Sequence, residues 1–125
     1  MKLLMMLFFL SITTWAMTFE DAVMKAEKEN KKILVEMVME FCPFCEQVDK
    51  YILSRSEVQM VLNTHFIFLK LDINKDEIPE HLTSRMTPTF YFLNTKGENI
   101  LHEMKGAPSK SEFLNQLQYV ITLEN

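Results

Sequence analysis

The sequence predicts an α/β domain in which helices cover a central mixed β-sheet. Three observations support this fold class. Apolar runs of strand length alternate with segments of helical periodicity, a hairpin signal follows the third predicted strand, and 125 residues suffice for one domain with a single core. Strands that alternate with helices favour parallel pairing, whereas the closing hairpin requires an antiparallel pair. The sheet is therefore expected to be mixed.

The composition is that of a globular protein and excludes one function class. Hydrophobic residues make up 48% of the chain and charged residues 24%, and the formal net charge is −4. Because this acidic chain has no basic patch, we do not expect it to bind nucleic acid. Ten methionines are scattered along the chain, several at predicted core positions, where methionine fills gaps in the packing.

The first sixteen residues have the three-part pattern of a secretory signal. Lys2 provides the positive start, residues 3–10 are an unbroken apolar run, and Ala16 ends a smaller and more polar stretch. The apolar run is shorter than the roughly 20 residues of a membrane-spanning helix. We expect a cleaved signal peptide at residues 1–16 and a folded domain at residues 17–125. An uncleaved N-terminal membrane anchor is the alternative.

The first helix and strand follow this segment directly. Thr18 and Asp21 have the spacing of a capping box, and apolar residues then recur at helical spacing. Residues 33–39 are apolar on both faces apart from Glu36, which predicts a central strand. After the two cysteines, a helix is expected that residues 54–56 interrupt.

The second half of the chain supplies the remaining elements. The patterns predict a strand at 66–72, a short helix at 78–86, and strands at 89–93 and 100–105. Residues 94–97, which end in glycine, form the turn between the last two strands. Ser109 and Glu112 make a capping box for the last helix.

The only two cysteines, Cys42 and Cys45, follow the predicted central strand and stand three positions apart. Such a pair can close a small disulfide ring, bind a metal ion or exchange disulfides. A helix that begins beside Cys42 directs backbone N–H groups at its sulfur and favours the thiolate. Cys42 is therefore expected to be the nucleophile and the more exposed thiol. Cys45 is expected to be the resolving thiol that closes the ring.

Three other interpretations compete with disulfide exchange. A structural zinc site needs four ligands, and the three histidines are not spaced as a second half-site. A purely structural disulfide would restrict the unfolded chain little, because the loop it closes is short. Thiolates and thioethers suit Cu(I), so a copper-binding or partner-docking protein without turnover is the alternative function.

Two further features accompany the cysteines. An ionised carboxylate inside an apolar strand is costly, so the pKa of Glu36 should rise, and this carboxyl could exchange the proton of Cys45. Lys70, inside the second strand, is the candidate partner of Glu36. The alternative is that Glu36 reaches solvent at a sheet edge. Thr87 and Pro88 precede the third strand, where a proline marks a turn or a strand start.

Together these features resemble the thioredoxin family, and the resemblance covers essentially the whole chain after the signal. They stand in the order of the family's buried acid, active-site loop, lysine, cis-proline loop and groove glycine. The matching residues are Glu36, Cys42, Cys45, Lys70, Thr87, Pro88 and Gly106.

The resemblance implies a thioredoxin-like fold with a four- or five-stranded mixed sheet and a redox-active disulfide. It implies protein or peptide thiols and disulfides as substrates, with no cofactor. No metal is expected, because the cysteine pair supplies only two of the four ligands of a structural zinc site. The expected catalytic residues are Cys42, Cys45, Glu36 and Lys70, and the expected substrate-binding residues are Phe41, Phe44, Thr87, Pro88 (in cis) and Gly106.

Departures from the family pattern bear on the subtype. Glu36 stands where the family usually has aspartate, Phe41 where it usually has tryptophan, and the helix after Cys45 lacks the usual proline. With the signal, the chain resembles an exported bacterial member, expected to be a periplasmic monomer that a membrane redox partner resets. Without a histidine between the cysteines, a reductase or isomerase-type role is expected rather than that of a primary oxidant. A reductase dedicated to one client, such as apocytochrome thiols, is a third possibility.

Overall fold

The sheet has four strands in the order β2-β1-β3-β4, in a computed structural model that describes residues 16–125. In chain order the elements are α1 (Phe19–Glu29), β1 (Lys32–Val38), α2 (Pro43–Val48), α3 (Ser56–His65), β2 (Phe66–Asp72), β3 (Thr89–Leu93), β4 (Met104–Lys105) and α4 (Lys110–Thr122). A π-helical turn, Asp49–Leu53, continues α2. β1 pairs in parallel with β2 and antiparallel with β3, so the predicted mixed sheet with a central β1 is confirmed.

The predicted signal segment, residues 1–16, lies outside the described residues except for Ala16. Its cleavage therefore stays a prediction. Within the part of the chain that is described, we find no helix with both the length and the apolar character needed to cross a membrane.

The two faces of β1 are buried against different helices, because successive side chains of a strand point to opposite faces. Leu34 packs with residues of α2, α3 and α4, and with Phe90 on β3. Ile33, on the other face, packs with α1. Glu36 stands two positions after Leu34 and therefore points to the face that α2 covers.

Both predicted capping boxes are present. The Thr18 hydroxyl accepts a hydrogen bond from the Asp21 backbone N–H, and the Asp21 carboxylate accepts one from the Thr18 N–H. Ser109 and Glu112 make the same reciprocal pair at the start of α4. These bonds satisfy N–H groups that a helix leaves without partners at its first turn, and they confirm where α1 and α4 begin.

The prediction of a helix at residues 78–86 is wrong. This segment is irregular, and side chains take part in several of its backbone hydrogen bonds. The Tyr91 hydroxyl accepts a hydrogen bond from the Ser84 N–H, Ser84 Oγ accepts one from the Met86 N–H, and the Thr89 hydroxyl donates one to the Met86 carbonyl. Such side chain–backbone bonds compete with the hydrogen bonds of a helix.

The fourth strand is shorter than the predicted span of residues 100–105, since only Met104 and Lys105 pair as a strand. Asn99 bridges to Leu93, and Met104 pairs with Phe90. Five steps along this segment therefore oppose three steps along β3. The two extra residues bulge out of the ladder and interrupt the pairing.

Candidate active site

Cys42 and Cys45 form a disulfide at the start of α2. Cys42 is the N-cap residue, and its sulfur accepts a hydrogen bond from the Cys45 backbone N–H at 3.2 Å. Pro43 occupies the first turn, where a missing N–H leaves no bond unmade. A backbone donor directed at sulfur stabilises negative charge there. The strand β1, a short loop and the helix start together fix the position of the pair.

The loop before β3 contacts the same sulfur. The Thr87 hydroxyl donates a hydrogen bond to Cys42 Sγ at 3.3 Å, and the peptide bond between Thr87 and Pro88 is cis. The Pro88 carbonyl accepts a hydrogen bond from the Gly106 N–H at 2.8 Å. Thr87, Pro88 and Gly106 therefore lie in one continuous patch beside the disulfide.

The two cysteines are almost equally buried, which contradicts the prediction that Cys42 is the more exposed thiol. Cys42 is 4% exposed and Cys45 is 5% exposed. The physical reason is the loop before β3, which packs against Cys42 through the bond from Thr87. The distinction between the two sulfurs therefore lies in their hydrogen-bond donors rather than in their exposure.

Several exposed apolar side chains belong to the segments that carry or contact the disulfide. Phe41 is 93% exposed and Phe44 is 61% exposed, although both adjoin a cysteine in the chain. Met39 and Met86 are also exposed and stand next to these segments. Phe41 has φ = 56°, a left-handed conformation that is uncommon for a bulky residue. The loop thus exposes the Phe41 ring to solvent, and the backbone of Phe41 adopts a conformation that is unfavourable for a bulky residue.

Glu36 is fully buried in the central strand, so the alternative that it reaches solvent at a sheet edge is wrong. Lys70 is its register partner on β2, and Lys70 Nζ lies 3.6 Å from Glu36 Oε2. Among residues 16–125, neither Glu36 carboxyl oxygen has a hydrogen-bond partner. Burial raises the pKa of Glu36 from its ordinary 4.5 to about 7, against the opposing attraction of Lys70.

Sequence reasoning missed Asp49. Its carboxylate accepts hydrogen bonds from Lys70 Nζ at 3.0 Å through both oxygens, and its negative charge adds to the rise in the Glu36 pKa. Asp49 stands four residues after Cys45 on the continuation of α2. That spacing is the only signal in the sequence that could have drawn attention to it.

The structure thus brings the predicted site residues into two groups. The first contains the disulfide with the nearby Phe41, Phe44, Thr87, Pro88 and Gly106. The second contains Glu36 and Lys70, together with Asp49. Both groups adjoin the helix that carries Cys45. The catalytic and substrate-binding roles of these residues stay predictions.

Comparisons with known proteins identify the family. Residues 19–121 match the family model described as a thioredoxin-like domain. Anterior gradient protein 3 of Mus musculus is 33% identical over 58 residues, which is 46% of this chain and 35% of that protein. The thiol:disulfide interchange protein DsbD of Colwellia psychrerythraea is 26% identical over 87 residues, which is 65% of this chain and 14% of that protein. This chain therefore spans about a third or less of the length of these curated relatives.

A solved structure covers nearly the whole fold. The solution structure of a putative disulphide-isomerase from Bacteroides thetaiotaomicron has a TM-score of 0.74 and 27% identity, over 89% of this chain and 93% of that one. The family match, which spans residues 19–121, contains every predicted site residue. The fold, the cysteine pair and this match together show that the chain belongs to the thioredoxin-like domain family.

Proposed function

We propose that this chain is a thioredoxin-like thiol–disulfide oxidoreductase that exchanges disulfides with protein or peptide substrates through Cys42 and Cys45. One observation carries the proposal. The Cys42 sulfur, which is bonded to Cys45, also accepts hydrogen bonds from a backbone N–H and from the Thr87 hydroxyl. Donors of this kind stabilise the thiolate, which is the attacking form of a cysteine.

Reduction of a client disulfide takes two exchange steps. The Cys42 thiolate attacks one client sulfur, the client S–S bond breaks, and the second client sulfur leaves as a thiolate. Cys45 then gives up its proton and attacks the Cys42 sulfur, which forms the Cys42–Cys45 disulfide and releases the first client sulfur. Two electrons pass to the client. The two protons lost by the cysteines balance the two that its thiolates take up from solvent.

Glu36 is the proposed proton acceptor for Cys45, and Lys70 is its charge partner. Glu36 is buried on the sheet face that α2 covers, and α2 carries Cys45. A carboxyl group with a pKa of about 7 can both take up and release a proton near neutrality. Its burial therefore suits the proton exchange that the resolving step requires.

The proposed client surface lies beside the disulfide. Thr87, Pro88 and Gly106 supply a backbone patch, and Phe41 and Phe44 supply exposed aromatic area. Aromatic rings that are already exposed in the free protein offer apolar contact without a rearrangement of the core. An extended peptide segment with a disulfide or thiol is the substrate that this surface suits.

The proposal also covers the direction of electron transfer and the compartment in which exchange takes place. A reductase or isomerase-type role follows from the absence of a histidine between Cys42 and Cys45, since a positive charge there would favour the thiolate further. The signal pattern of residues 1–16 supports export to the periplasm, where a membrane redox partner would reset the monomeric protein.

Reduction of insulin disulfides by the full chain tests exchange directly. With dithiothreitol as the source of electrons, the wild type is expected to accelerate insulin precipitation, and Cys42→Ser to abolish the effect. Cys45→Ser should retain clients as mixed disulfides on Cys42, which mass spectrometry identifies. A wild type without turnover, or a Cys45→Ser protein that traps nothing, would contradict the proposal.

Two titrations separate the remaining alternatives. A redox titration of the disulfide against glutathione should give a moderately reducing midpoint, and a strongly oxidising midpoint would exclude the reductase role. An anaerobic Cu(I) titration tests the copper-binding alternative. Tight binding by the reduced protein together with no insulin turnover would favour that alternative over exchange.

A further inference from the structure

Asp49 links the helix of the cysteines to the buried carboxyl group. It stands one helical turn after Cys45, and its backbone N–H donates a hydrogen bond to the Cys45 carbonyl. Its side chain extends to β2, where it pairs with Lys70. A π-helical turn begins at Asp49, and π-helical turns occur frequently at functional sites.

Lys70 lies between two carboxyl groups in very different surroundings. Its Nζ lies 3.6 Å from Glu36 Oε2, and 3.0 Å from each Asp49 carboxylate oxygen. The Glu36 side chain is fully buried, whereas the Lys70 and Asp49 side chains are 40% and 46% exposed. The ammonium is therefore bound closely to the exposed carboxylate and only loosely to the buried one.

We propose that Asp49 is a positioning residue, which draws the Lys70 ammonium away from Glu36 and so keeps that carboxyl available as the proton acceptor for the Cys45 thiol. This inference rests on the exchange function proposed above. It adds a residue to that function and assigns it an effect on one step, the resolution of the mixed disulfide.

The proton balance of that step shows why the position of Lys70 matters. When Cys45 attacks, its S–H bond breaks, the proton passes to the Glu36 carboxylate, and the client sulfur leaves Cys42 with the electron pair. An ammonium in full contact with Glu36 would hold that carboxylate in its ionised form and weaken it as a base. Asp49 prevents this contact by offering Lys70 two closer oxygens.

The groups that face Glu36 come from four elements, and their effects on its pKa differ in direction. β2 contributes Lys70, the π-helical turn contributes Asp49, β3 contributes the uncharged Phe90, and α2 carries Cys45, which titrates only when reduced. Burial is the largest cause of the raised Glu36 pKa; Lys70 opposes the rise, and Asp49 adds to it. Loss of the Asp49 charge removes a repulsion and frees Lys70, and both effects lower the Glu36 pKa.

The first measurement is the titration of the Glu36 carboxyl carbon by 13C NMR in the oxidised full chain, with Glu36→Gln to assign the signal. In Asp49→Asn the midpoint is expected to fall by roughly half a pH unit, as suits one partly exposed charge pair. Lys70→Met should move it in the opposite direction. Asp49→Glu, which keeps the charge, should restore most of the wild-type midpoint.

The second measurement is the pH profile for release of a thiol from a preformed mixed disulfide on Cys42. In Asp49→Asn its midpoint should fall together with that of the NMR titration. Glu46→Gln is the matched control, because it removes an exposed carboxylate from the same helix without contacting Lys70. Neither of its midpoints should move.

Two results would overturn the inference. One is an unchanged Glu36 titration in Asp49→Asn, and the other is a shifted titration with an unchanged pH profile for release. In either case, insulin reduction by the wild type would leave the exchange function intact. A different result separates the two proposals. If the wild type fails to reduce insulin although the Glu36 titration shifts in Asp49→Asn, both the exchange function and the positioning role are wrong. The electrostatic coupling between Asp49, Lys70 and Glu36 would still be demonstrated.

Discussion

The Thr87 hydroxyl donates a hydrogen bond to the Cys42 sulfur at 3.3 Å, so the residue before Pro88 holds the proposed nucleophile directly. Thr87→Val keeps the shape of the side chain but removes the donor. Because a hydrogen bond contributes about 1 kcal/mol, iodoacetamide should alkylate the reduced variant roughly fivefold more slowly at about pH 6. Thr83→Val, at an exposed position of the same loop, should react at the wild-type rate. Equal rates for Thr87→Val and the wild type would refute this role.

The buried Glu36 predicts an unusual dependence of stability on pH. Its pKa is about 7 in the folded state and 4.5 ordinarily, so the folded state binds the proton more tightly. The free energy of unfolding should therefore fall as the pH rises from about 4.5 to about 7, by about 3 kcal/mol in total, and then level off.

Glu36→Gln should remove most of this fall, because the amide does not titrate. Urea unfolding of the oxidised protein at about pH 5 and about pH 8 measures the difference. Glu46→Gln, which replaces an exposed carboxylate, should keep the wild-type difference. A wild type that is equally stable at both pH values would contradict the assignment of a raised pKa.

The two glycines provide a matched pair for a test of packing. Gly97 and Gly106 both have φ = +83°, so alanine at either position costs about 1 kcal/mol of backbone strain. A Cβ at Gly97 would come within 2.8 Å of Phe19 Cζ and 2.9 Å of Val23 Cγ2, whereas at Gly106 the nearest atom is Met86 Cε at 3.7 Å. Gly97→Ala should therefore lose roughly 1–3 kcal/mol more stability in urea unfolding than Gly106→Ala. Equal losses of stability would show that Phe19 and Val23 of α1 can move away from the new Cβ without a loss of stability, and would contradict this prediction.

Phe41 should matter for clients but not for stability. Its ring is 93% exposed, and asparagine tolerates its left-handed backbone conformation, so Phe41→Asn should change the free energy of unfolding by less than about 1 kcal/mol. Reduction of insulin should slow severalfold, whereas reduction of the Cys42–Cys45 disulfide by dithiothreitol should not. Tyr119→Asn replaces an exposed aromatic residue on α4 and should alter neither rate. Slowing of both reactions by Phe41→Asn would indicate a disturbed disulfide instead of a lost client contact.

The elements that local patterns determine could be predicted from the sequence. The capping boxes at Thr18 and Ser109 mark α1 and α4, and the two-sided apolar run with Glu36 marks the central strand. The segment at residues 78–86 could not be predicted, because its backbone partners include Tyr91 and Thr89 on a strand that follows it. A helical pattern carries no information about such partners.

The parts of the site that depend on strand pairing and on the spacing of the cysteines could be predicted from the sequence. Glu36 and Lys70 are register partners because their strands pair in parallel, and the cysteine spacing defines the disulfide. Asp49 was missed because it acts on Lys70 across 21 positions of the sequence, after a helix has changed to a π-helical turn. The relative exposure of the cysteines was predicted wrongly because a distant loop covers Cys42.

The strand order places the proposed client surface and the proposed proton acceptor's partner, Lys70, on opposite sides of the central strand. Thr87 and Gly106 flank β3 and β4, on one side of the central strand, whereas Lys70 belongs to β2, at the opposite edge of the sheet. A peptide bound along the first side leaves the second open to bulk water. The proposed route of the Cys45 proton, from Glu36 toward water beside Lys70, therefore does not cross the surface proposed for the client. Release of that proton to water would not have to wait until the freed client has left its surface.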